Sequence, residues 1–360
     1  METYNFSAGP ACLPKKVLVA AGDAAKQFRD TGMSIMEMSH RSKTVMSLFE
    51  EITFRIKTLL DIPSNYHVLW LQGGASTQFS MVPLNVLPDG SCADYIDTGV
   101  WSARAISECS KIGKANVIGS SKDDTYTFIP KECPQNKESI YLHITSNNTI
   151  YGTQYKVNPE VLNPDGFLVA DMSSDILSKP INVSQFGLIY AGSQKNMGPA
   201  GVTLVIIRDD LIGKNYRSLP TMLNYETHVI KDSMFNTPPV FAVFVVNETL
   251  KWIQDLGGLD AMAVINRKKA EKLYAEIKRN SLFTSPVAEE DRSLMNIPFV
   301  FSKPGLDDQS FITFCEQRRL MTLKGHRSVG GFRASIYNSM PEAGVEKLIN
   351  TMQDYEKEKT

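Results

Sequence analysis

Apolar and polar positions follow two different periods along the first two-thirds of the chain. Between residues 45 and 60, apolar side chains recur every three or four positions, which predicts a helix ending near Pro63. Short apolar runs alternate with such helical stretches, and each run predicts a buried strand. The predicted strands lie at residues 67–72, 92–97, 115–119, 139–145, 167–171, 188–191 and 202–208. This alternation is typical of a mainly parallel sheet covered by helices on both faces.

The pattern changes after Pro238 and Pro239. A helix predicted at residues 240–256 leads through two glycines into a long amphipathic helix that ends near residue 280. Further strands and helices are predicted at residues 295–302, 309–319, 332–338 and 341–355. These elements indicate a smaller α+β domain.

Length and composition limit the class of protein. The 360 residues exceed the roughly 100–200 of an ordinary domain, so two domains are expected. We predict a large domain at residues 16–256 and a small domain at 257–360 that also includes residues 1–15. A hydrophobic content of 42% and a charged content of 21% exclude a collagen-like or disordered chain. The charged residues 356–359 predict a frayed, solvated helix end.

Charge and hydropathy argue against nucleic-acid and membrane binding. The chain has 38 Lys and Arg against 39 Asp and Glu, so it has no overall positive field. Its longest apolar run, Val240 to Val246, has seven residues, whereas a membrane helix needs roughly 18–20. No secretion signal begins the sequence, and the five scattered cysteines form no C-x-x-C pair. We therefore expect a soluble, cytoplasmic protein with reduced thiols and no metal site.

Lys195 is the first candidate for chemistry. It lies in a glycine-bounded turn, residues 192–201, between two predicted strands. Nearby backbone withdraws such an amine from water and disfavours its charged form, and a neutral amine is what imine formation with a carbonyl requires. The alternative is an ordinary solvated loop lysine.

Asp171 strengthens the first interpretation. It stands at the carboxyl end of a predicted strand, where ligand sites open in sheets of this class. A buried carboxylate there needs a cationic or hydrogen-bonding partner, and a protonated pyridine nitrogen would serve. The alternative is an aspartate that only caps the turn at Ser173 and Ser174.

Two further features of the sequence are candidates for contacts to a cofactor. Gly73 and Gly74 join a strand to a helix, so backbone N–H groups and the helix dipole can face a phosphate. Trp101 begins a later helix and is either a ring that stacks on a cofactor or a core aromatic. The chain has neither a Walker loop nor a G-x-G-x-x-G fingerprint, and the second absence disfavours an oxidoreductase. Phosphate cradle, aspartate and lysine together fit pyridoxal 5′-phosphate.

Seven blocks along the chain carry a resemblance to a known family. They lie in order at residues 5–10, 39–42, 73–76, 170–174, 191–201, 236–239 and 325–335. Through them the chain resembles the phosphoserine aminotransferases, which are class-V pyridoxal-phosphate transaminases of fold type I. The resemblance implies an α/β fold in which a mainly parallel seven-stranded sheet lies between helices, with a smaller α+β C-terminal domain.

The resemblance also implies roles at the cofactor. Lys195 would form the imine with the cofactor aldehyde and then move a proton between Cα and C4′. Asp171 would hold the pyridine proton, and Trp101 would stack on the ring. Thr149 matches the position that hydrogen-bonds the phenolic oxygen. The implied phosphate ligands are Gly74, Ala75, Ser76 and Gln194, with Asn236 and Thr237 reaching over from the second subunit of a homodimer.

Substrate recognition requires cationic groups at two places, because the substrate carries an α-carboxylate and a phosphate. The resemblance assigns the α-carboxylate to Arg333. It assigns the substrate phosphate to His326 and Arg327 and, from the second subunit, to His40 and Arg41. Without the resemblance, such His-Arg pairs would be assigned to the solvated surface. Ser76 stands where some family members have an arginine, so one contact to the substrate phosphate is expected to be missing.

The expected reaction is exchange of the amino group between L-glutamate and 3-phosphohydroxypyruvate, which gives 2-oxoglutarate and O-phospho-L-serine in serine biosynthesis. One alternative within the fold is a sulfur-transferring or decarboxylating enzyme, although no cysteine lies in an evident flexible, electropositive loop. An alternative of another class is a catalytically silent scaffold or binding protein for phosphorylated metabolites. The presence of both Lys195 and Asp171 argues against silence.

Overall fold

The computed structural model describes residues 2–214 and 216–359. Its helices are α1 (Lys15–Lys26), α2 (Lys43–Leu60), α3 (Gly74–Val86), α4 (Val100–Cys109), α5 (Tyr225–Ile230), α6 (Val240–Asp255), α7 (Gly258–Arg279), α8 (Asp308–Gln317) and α9 (Glu342–Lys359). Its strands are β1 (Tyr4–Asn5), β2 (Tyr66–Leu71), β3 (Cys92–Asp97), β4 (Lys114–Ser120), β5 (Tyr141–Thr145), β6 (Phe167–Asp171), β7 (Phe186–Gly192), β8 (Thr203–Arg208), β9 (Phe283–Thr284), β10 (Asn296–Phe301), β11 (Leu320–Met321) and β12 (Phe332–Ser335).

The large sheet contains, within the described ranges, seven strands in the order β2-β8-β7-β6-β5-β3-β4. The contacts among β3, β4, β5, β6 and β7 are parallel. Strand β8 pairs antiparallel with both of its neighbours, β7 and β2. One strand therefore runs against the other six, and the expected mainly parallel α/β sheet is confirmed.

Helices bury both faces of this sheet. On one face, α1, α2 and α6 pack against alternate strand residues such as Leu204 and Ile206. On the other face, α3 and α4 pack against the intervening residues, among them Val205 and Ile207. Because both faces are buried, the strands are apolar runs without polar alternation, which is the pattern in the sequence.

A second apolar core lies around the C-terminal strands and helices. Strand β10 pairs antiparallel with β9 and β12, and α7, α8 and α9 contribute buried side chains to this core. Phe299, Phe311 and Phe332 contact one another there, at centroid distances of 4.8–6.3 Å. Strand β1 pairs with β11, and Phe6 is fully buried in the same core. The first residues of the chain thus pack with its last third.

Two local expectations are wrong. The predicted strand at residues 332–338 ends at Ser335 in β12. The predicted frayed end is instead ordered, since α9 continues to Lys359 and the Glu356 carboxylate accepts hydrogen bonds from Arg279 Nη2 and Ser281 N, both at 2.6 Å. The positive charge of Arg279 and the backbone N–H of Ser281 therefore stabilise the last turns of α9. No helix in the described ranges has the length and apolar character that crossing a bilayer requires.

Lys269 on α7 connects the C-terminal core to the segment that follows β12. Its side chain is fully buried, and Nζ donates to the carbonyl oxygens of Ile336, Tyr337 and Met340 at 2.8–3.1 Å. Buried carbonyls cannot reach water, so they need donors within the protein. The lysine supplies one to each of these three, and the Tyr337 carbonyl also accepts from Met340 N at 2.9 Å. The amine therefore fixes the backbone between β12 and α9.

We predict that Lys269→Met destabilises the chain by about 2–4 kcal/mol, because it removes a charged donor from three buried carbonyls. Urea denaturation followed by circular dichroism measures this free energy of unfolding. Lys268→Met is the matched control, since Lys268 is exposed and pairs with Glu342 at the surface. We expect it to cost less than about 1 kcal/mol. Equal losses in both variants would contradict the role of Lys269.

Candidate active site

Polar side chains collect at the carboxyl ends of several parallel strands and line a cavity of about 240 Å³. The carboxyl ends of these strands meet at one edge of the sheet because parallel strands run in the same direction. The lining residues are Gly73, Gly74, Ala75, Ser76, Trp101, Thr145, Asn147, Asp171, Ser173, Ser174, Gln194 and Lys195. A larger cavity of about 770 Å³ lies near Tyr4 and Trp252, and neither the lysine nor the aspartate lines it.

Asp171 is the last residue of β6 and is 4% exposed. Its Oδ1 accepts a hydrogen bond from Ser173 N at 2.9 Å, so the carboxylate does cap the turn. The same side chain lines the cavity. Burial raises the pKa of the Asp171 carboxyl, against the opposing effects of Ser173 and Lys195. The carboxylate thus caps the turn and also gives the cavity a buried acid that a cation would stabilise.

Lys195 follows β7, and its side chain is half-buried. Nζ donates to Thr149 Oγ1 at 2.7 Å. Burial lowers the pKa of Lys195 to about 8, while Asp171 raises it and Arg333 lowers it. The amine thus has a substantial neutral fraction near neutral pH, and the alternative of an ordinary solvated loop lysine does not hold.

The N-terminus of α3 faces the same cavity. Gly73 precedes the helix with φ of +89°, and no side chain caps it. A Cβ at Gly73 would lie 2.0 Å from Thr77 Oγ1, so only glycine fits there. The first-turn N–H groups of Ala75 and Ser76 are consequently available to an anion, and the helix dipole favours one.

Trp101 lies on the first turn of α4 and lines the cavity. The Lys195 Nζ atom is 5.6 Å from the centroid of its ring. The indole also packs against two apolar clusters, and its Nε1 is buried without a hydrogen-bond partner among the described residues. The side chain therefore combines a core position with one edge of the cavity.

Arg333 and the loop before it lie beside the lysine. Arg333 Nη1 donates to the Thr149 carbonyl oxygen at 3.3 Å. His326 Nδ1 lies 2.8 Å from Ser328 Oγ. The pKa of His326 is lowered by burial and by the positive charges of Arg333 and Arg327. Positive charge is thus concentrated on the side of the lysine that faces the C-terminal core.

Eight of the predicted site residues do not line this cavity, namely His40, Arg41, Thr149, Asn236, Thr237, His326, Arg327 and Arg333. Thr149 and Arg333 lie close to the lysine, whereas His40, Arg41, Asn236 and Thr237 lie elsewhere. His40 is half-buried and Arg41 is exposed, and both precede α2. The Nε2 atom of His40 is buried without a hydrogen-bond partner in the part of the chain that the structure describes. Asn236 and Thr237 are exposed, and the Thr237 carbonyl accepts from Gln72 Nε2 at 2.8 Å. A single copy of the chain therefore does not bring these four side chains to the lysine.

The sequence interpretation missed several residues of the cavity. Thr145 and Asn147 line it, and β5 pairs Thr145 directly with Asp171. The polar run that begins at Thr145, directly after a buried strand, was an available signal. Gly9 was also missed: a Cβ there would lie 3.4 Å from Lys195 Cγ. Within the described ranges, no group of three or more His, Cys, Asp or Glu side chains is arranged to hold a metal ion.

Comparison with known proteins identifies the family. The model of the family described as aminotransferase class-V matches residues 3–348. The chain belongs to this family. A phosphoserine aminotransferase from Bacillus cereus, a class-V relative, is 50% identical over 359 residues, which cover 99% of each chain. The resemblance expected from the seven sequence blocks is therefore confirmed.

Solved structures of class-V aminotransferases agree with the fold. Phosphoserine aminotransferase from Bacillus circulans subsp. alkalophilus has a TM-score of 0.96 at 45% identity and covers 100% of this chain and 99% of its own. A PLP-bound phosphoserine aminotransferase from Trichomonas vaginalis has a TM-score of 0.93 at 39% identity, with 98% of this chain and 100% of that one covered.

We predict that acylation of Lys195 by acetic anhydride reaches half its maximal rate near pH 8 in the cofactor-free protein. An ordinary lysine, with a pKa of about 10.4, would continue to gain reactivity well above that pH. Asp171→Asn should move the midpoint lower, because the carboxylate raises the pKa of Lys195. Peptide mass spectrometry measures the labelling, and exposed Lys43 controls for reagent loss. A rate that still rises at pH 10 would show a solvated amine.

Proposed function

We propose that the chain is a pyridoxal-phosphate-dependent aminotransferase that exchanges the amino group between L-glutamate and 3-phosphohydroxypyruvate, giving 2-oxoglutarate and O-phospho-L-serine in serine biosynthesis. The observation that carries the proposal is one cavity in which Lys195, Asp171 and the uncapped N-terminus of α3 meet. The 50% identity to a phosphoserine aminotransferase over 99% of the chain supports it.

The cavity fits the cofactor at three points. The buried acid Asp171 suits a protonated pyridine nitrogen, and the uncapped helix end suits a phosphate dianion. The amine of Lys195 lies at the same cavity, where a carbonyl is needed. When bound, the cofactor supplies a ring that withdraws electrons from the substrate Cα. We assign it to Asp171, Trp101, Thr149, Lys195, Gly74, Ala75, Ser76 and Gln194, with Asn236 and Thr237 from a second copy of the chain.

Lys195 is the group that would transfer the proton at the substrate Cα. Its pKa of about 8 lets it accept a proton in the neutral form and return it from the charged form near working pH. Asp171 favours the charged form of the amine and Arg333 disfavours it. The two effects oppose each other, so both the charged and the neutral form of the amine are accessible. Thr149 Oγ1 orients Nζ through its hydrogen bond.

Arg333 would bind the α-carboxylate of both substrates, because its guanidinium lies beside the lysine and both substrates carry that group. His326 and Arg327 would bind the substrate phosphate, together with His40 and Arg41 of a second copy. The buried Nε2 of His40, which has no hydrogen-bond partner within the described residues, is consistent with a ligand or partner contact there. Ser76 supplies only a hydroxyl at the position where some relatives carry an arginine.

We also propose a cytoplasmic homodimer with shared active sites. Large apolar side chains are exposed near the two residue pairs assigned to the second copy, His40 with Arg41 and Asn236 with Thr237. Met33 and Met36 precede His40, and Ile230 and Phe235 precede Asn236, with exposed fractions of 43–66%. Burying these side chains between two copies would remove apolar surface from water. Each copy would consist of a large domain at residues 16–256 and a small domain at 257–360 joined by residues 1–15.

A sulfur-transferring reaction is disfavoured by the placement of the thiols. All five cysteines lie in the described ranges and are free, and none lines the cavity. Burial raises the pKa of Cys12, Cys109, Cys133 and Cys315, which lowers their thiolate fraction.

A half-reaction tests the proposed substrate. Adding O-phospho-L-serine to the cofactor-loaded protein should change the visible absorbance, because the amino group moves to the cofactor. Unphosphorylated L-serine should need at least about tenfold higher concentration, since it lacks the charge-assisted contacts to the cationic groups. Lys195→Ala should give no catalytic turnover. Equal responses to both amino acids would remove the phosphate-specific part of the proposal.

Mixed dimers test the shared site. Lys195→Ala and Arg41→Ala should each be nearly inactive at low substrate concentration. When equal amounts of the two variants re-form dimers, about half of the dimers contain one copy of each variant. One of the two sites in each mixed dimer has both residues intact, so about a quarter of wild-type activity should return.

The matched control pairs Lys195→Ala with Arg333→Ala. Both of these residues belong to the same copy of the chain at each site, so mixing should restore nothing. Absence of recovery in the first mixture, with heterodimers demonstrated by mass spectrometry, would contradict a site shared through Arg41.

A further inference from the structure

The first residues of the chain connect the C-terminal core to the lysine. We call residues 4–11 the N-terminal strap. At one end, β1 pairs with β11, and Ser335 N donates to the Phe6 carbonyl at 3.3 Å. At the other end, Ala11 N donates to the Gln194 carbonyl at 2.9 Å, next to the lysine. The strap therefore bridges two separate parts of the fold.

Gly9 of the strap lies directly on the stem of Lys195. A Cβ at Gly9 would be 3.4 Å from Lys195 Cγ and 3.7 Å from Lys195 Cε, which is ordinary contact distance. The strap thus shields the aliphatic part of the lysine from water. Because burial is the main cause of the lowered pKa of this amine, whatever holds the strap in place also affects the amine.

Tyr337 holds the strap at the residue before Gly9. Its hydroxyl donates to the Ala8 carbonyl at 2.8 Å and accepts from Asn296 Nδ2 at 3.0 Å. The tyrosine is 1% exposed, so its hydroxyl is a fixed donor to the partly buried Ala8 carbonyl. The Tyr337 hydroxyl also interacts with the hydroxyl of Thr149, the group that accepts from Lys195 Nζ.

Asn296 connects Tyr337 back to the cavity. Its Oδ1 accepts from Asn147 Nδ2 at 2.8 Å, and the same amide of Asn147 donates to Ser174 Oγ at 2.8 Å. Asn147 and Ser174 both line the cavity. A buried polar chain thus begins at the cavity wall, passes through Asn296 and Tyr337, and ends on the strap above the lysine. The links from Asn147 to Tyr337 are buried, where breaking one hydrogen bond is costly, and the last link, to the Ala8 carbonyl, is partly buried.

We propose that Tyr337 is a positioning residue whose hydroxyl holds the N-terminal strap against Lys195 and thereby limits the hydration of the reactive amine. The inference rests on the proposed function only in taking Lys195 as the reacting amine. The tyrosine touches neither substrate nor cofactor in this role and acts through Ala8, Gly9 and Thr149.

Tyr337→Phe tests the proposal on the cofactor-free protein, because it removes the hydroxyl and retains the buried ring. Hydrogen exchange with mass spectrometry should show at least tenfold faster exchange in peptides covering the strap. Acylation of Lys195 should shift its half-maximal pH upward by about 0.5–1 unit, since a hydrated amine is more easily protonated. Unchanged strap exchange and an unchanged acylation midpoint in the folded variant would overturn the proposal.

Tyr355→Phe is the matched control. Tyr355 is a phenol of the same C-terminal core, 1% exposed, and its hydroxyl bonds to Ser310 Oγ on α8. Its loss should leave the strap and Lys195 unchanged even if the thermal stability falls. If Tyr355→Phe reproduces both effects, general loosening of the core explains them and the positioning role is wrong. Both readouts are independent of phosphoserine turnover, so failure of the proposed substrate would be seen separately in the half-reaction.

Discussion

The proximity of a buried acid and a half-buried amine governs this site. Asp171 and Lys195 stand at the ends of adjacent strands, β6 and β7, and burial opposes charge on both. Neither group satisfies the other through a direct salt bridge, because Asp171 accepts from Ser173 and Lys195 donates to Thr149. The Asp171 carboxylate and the Lys195 amine therefore remain able to interact with a ligand. A ring that carries a positive nitrogen and a carbonyl would suit both groups. The surrounding fold serves to keep these two groups close and dry.

The parallel sheet makes this arrangement possible. With helices on both faces, its strands have no polar face, so polar groups concentrate where the strands end. Strand-end polar residues and an uncapped helix terminus then meet at one edge. The C-terminal core adds cationic groups from the other side through Arg333 and the loop containing His326. Different parts of the chain thus supply an uncapped helix N-terminus, a buried acid and cationic side chains to one region of the structure.

Much of this was predictable from the sequence. Strand β6 was predicted with its observed bounds, and α2 within two residues at its start, because apolar periodicity reports burial directly. The direction of β8 was not predictable, since an apolar run carries no information about which way its strand points. The ordered end of α9 depends on Arg279, far away in sequence, so local charge suggested fraying. For the same reason Gly9 was missed, because its contact with Lys195 arises only from the tertiary fold.

The docking of Phe6 and β1 against β11 has a consequence for folding. Residues 4–11 lie beside Lys195, but the surface that holds them is formed by residues 320–337, far along the chain. A chain in which only the large sheet has formed therefore lacks the surface that positions this segment. The surroundings of the amine are completed only when the C-terminal core folds.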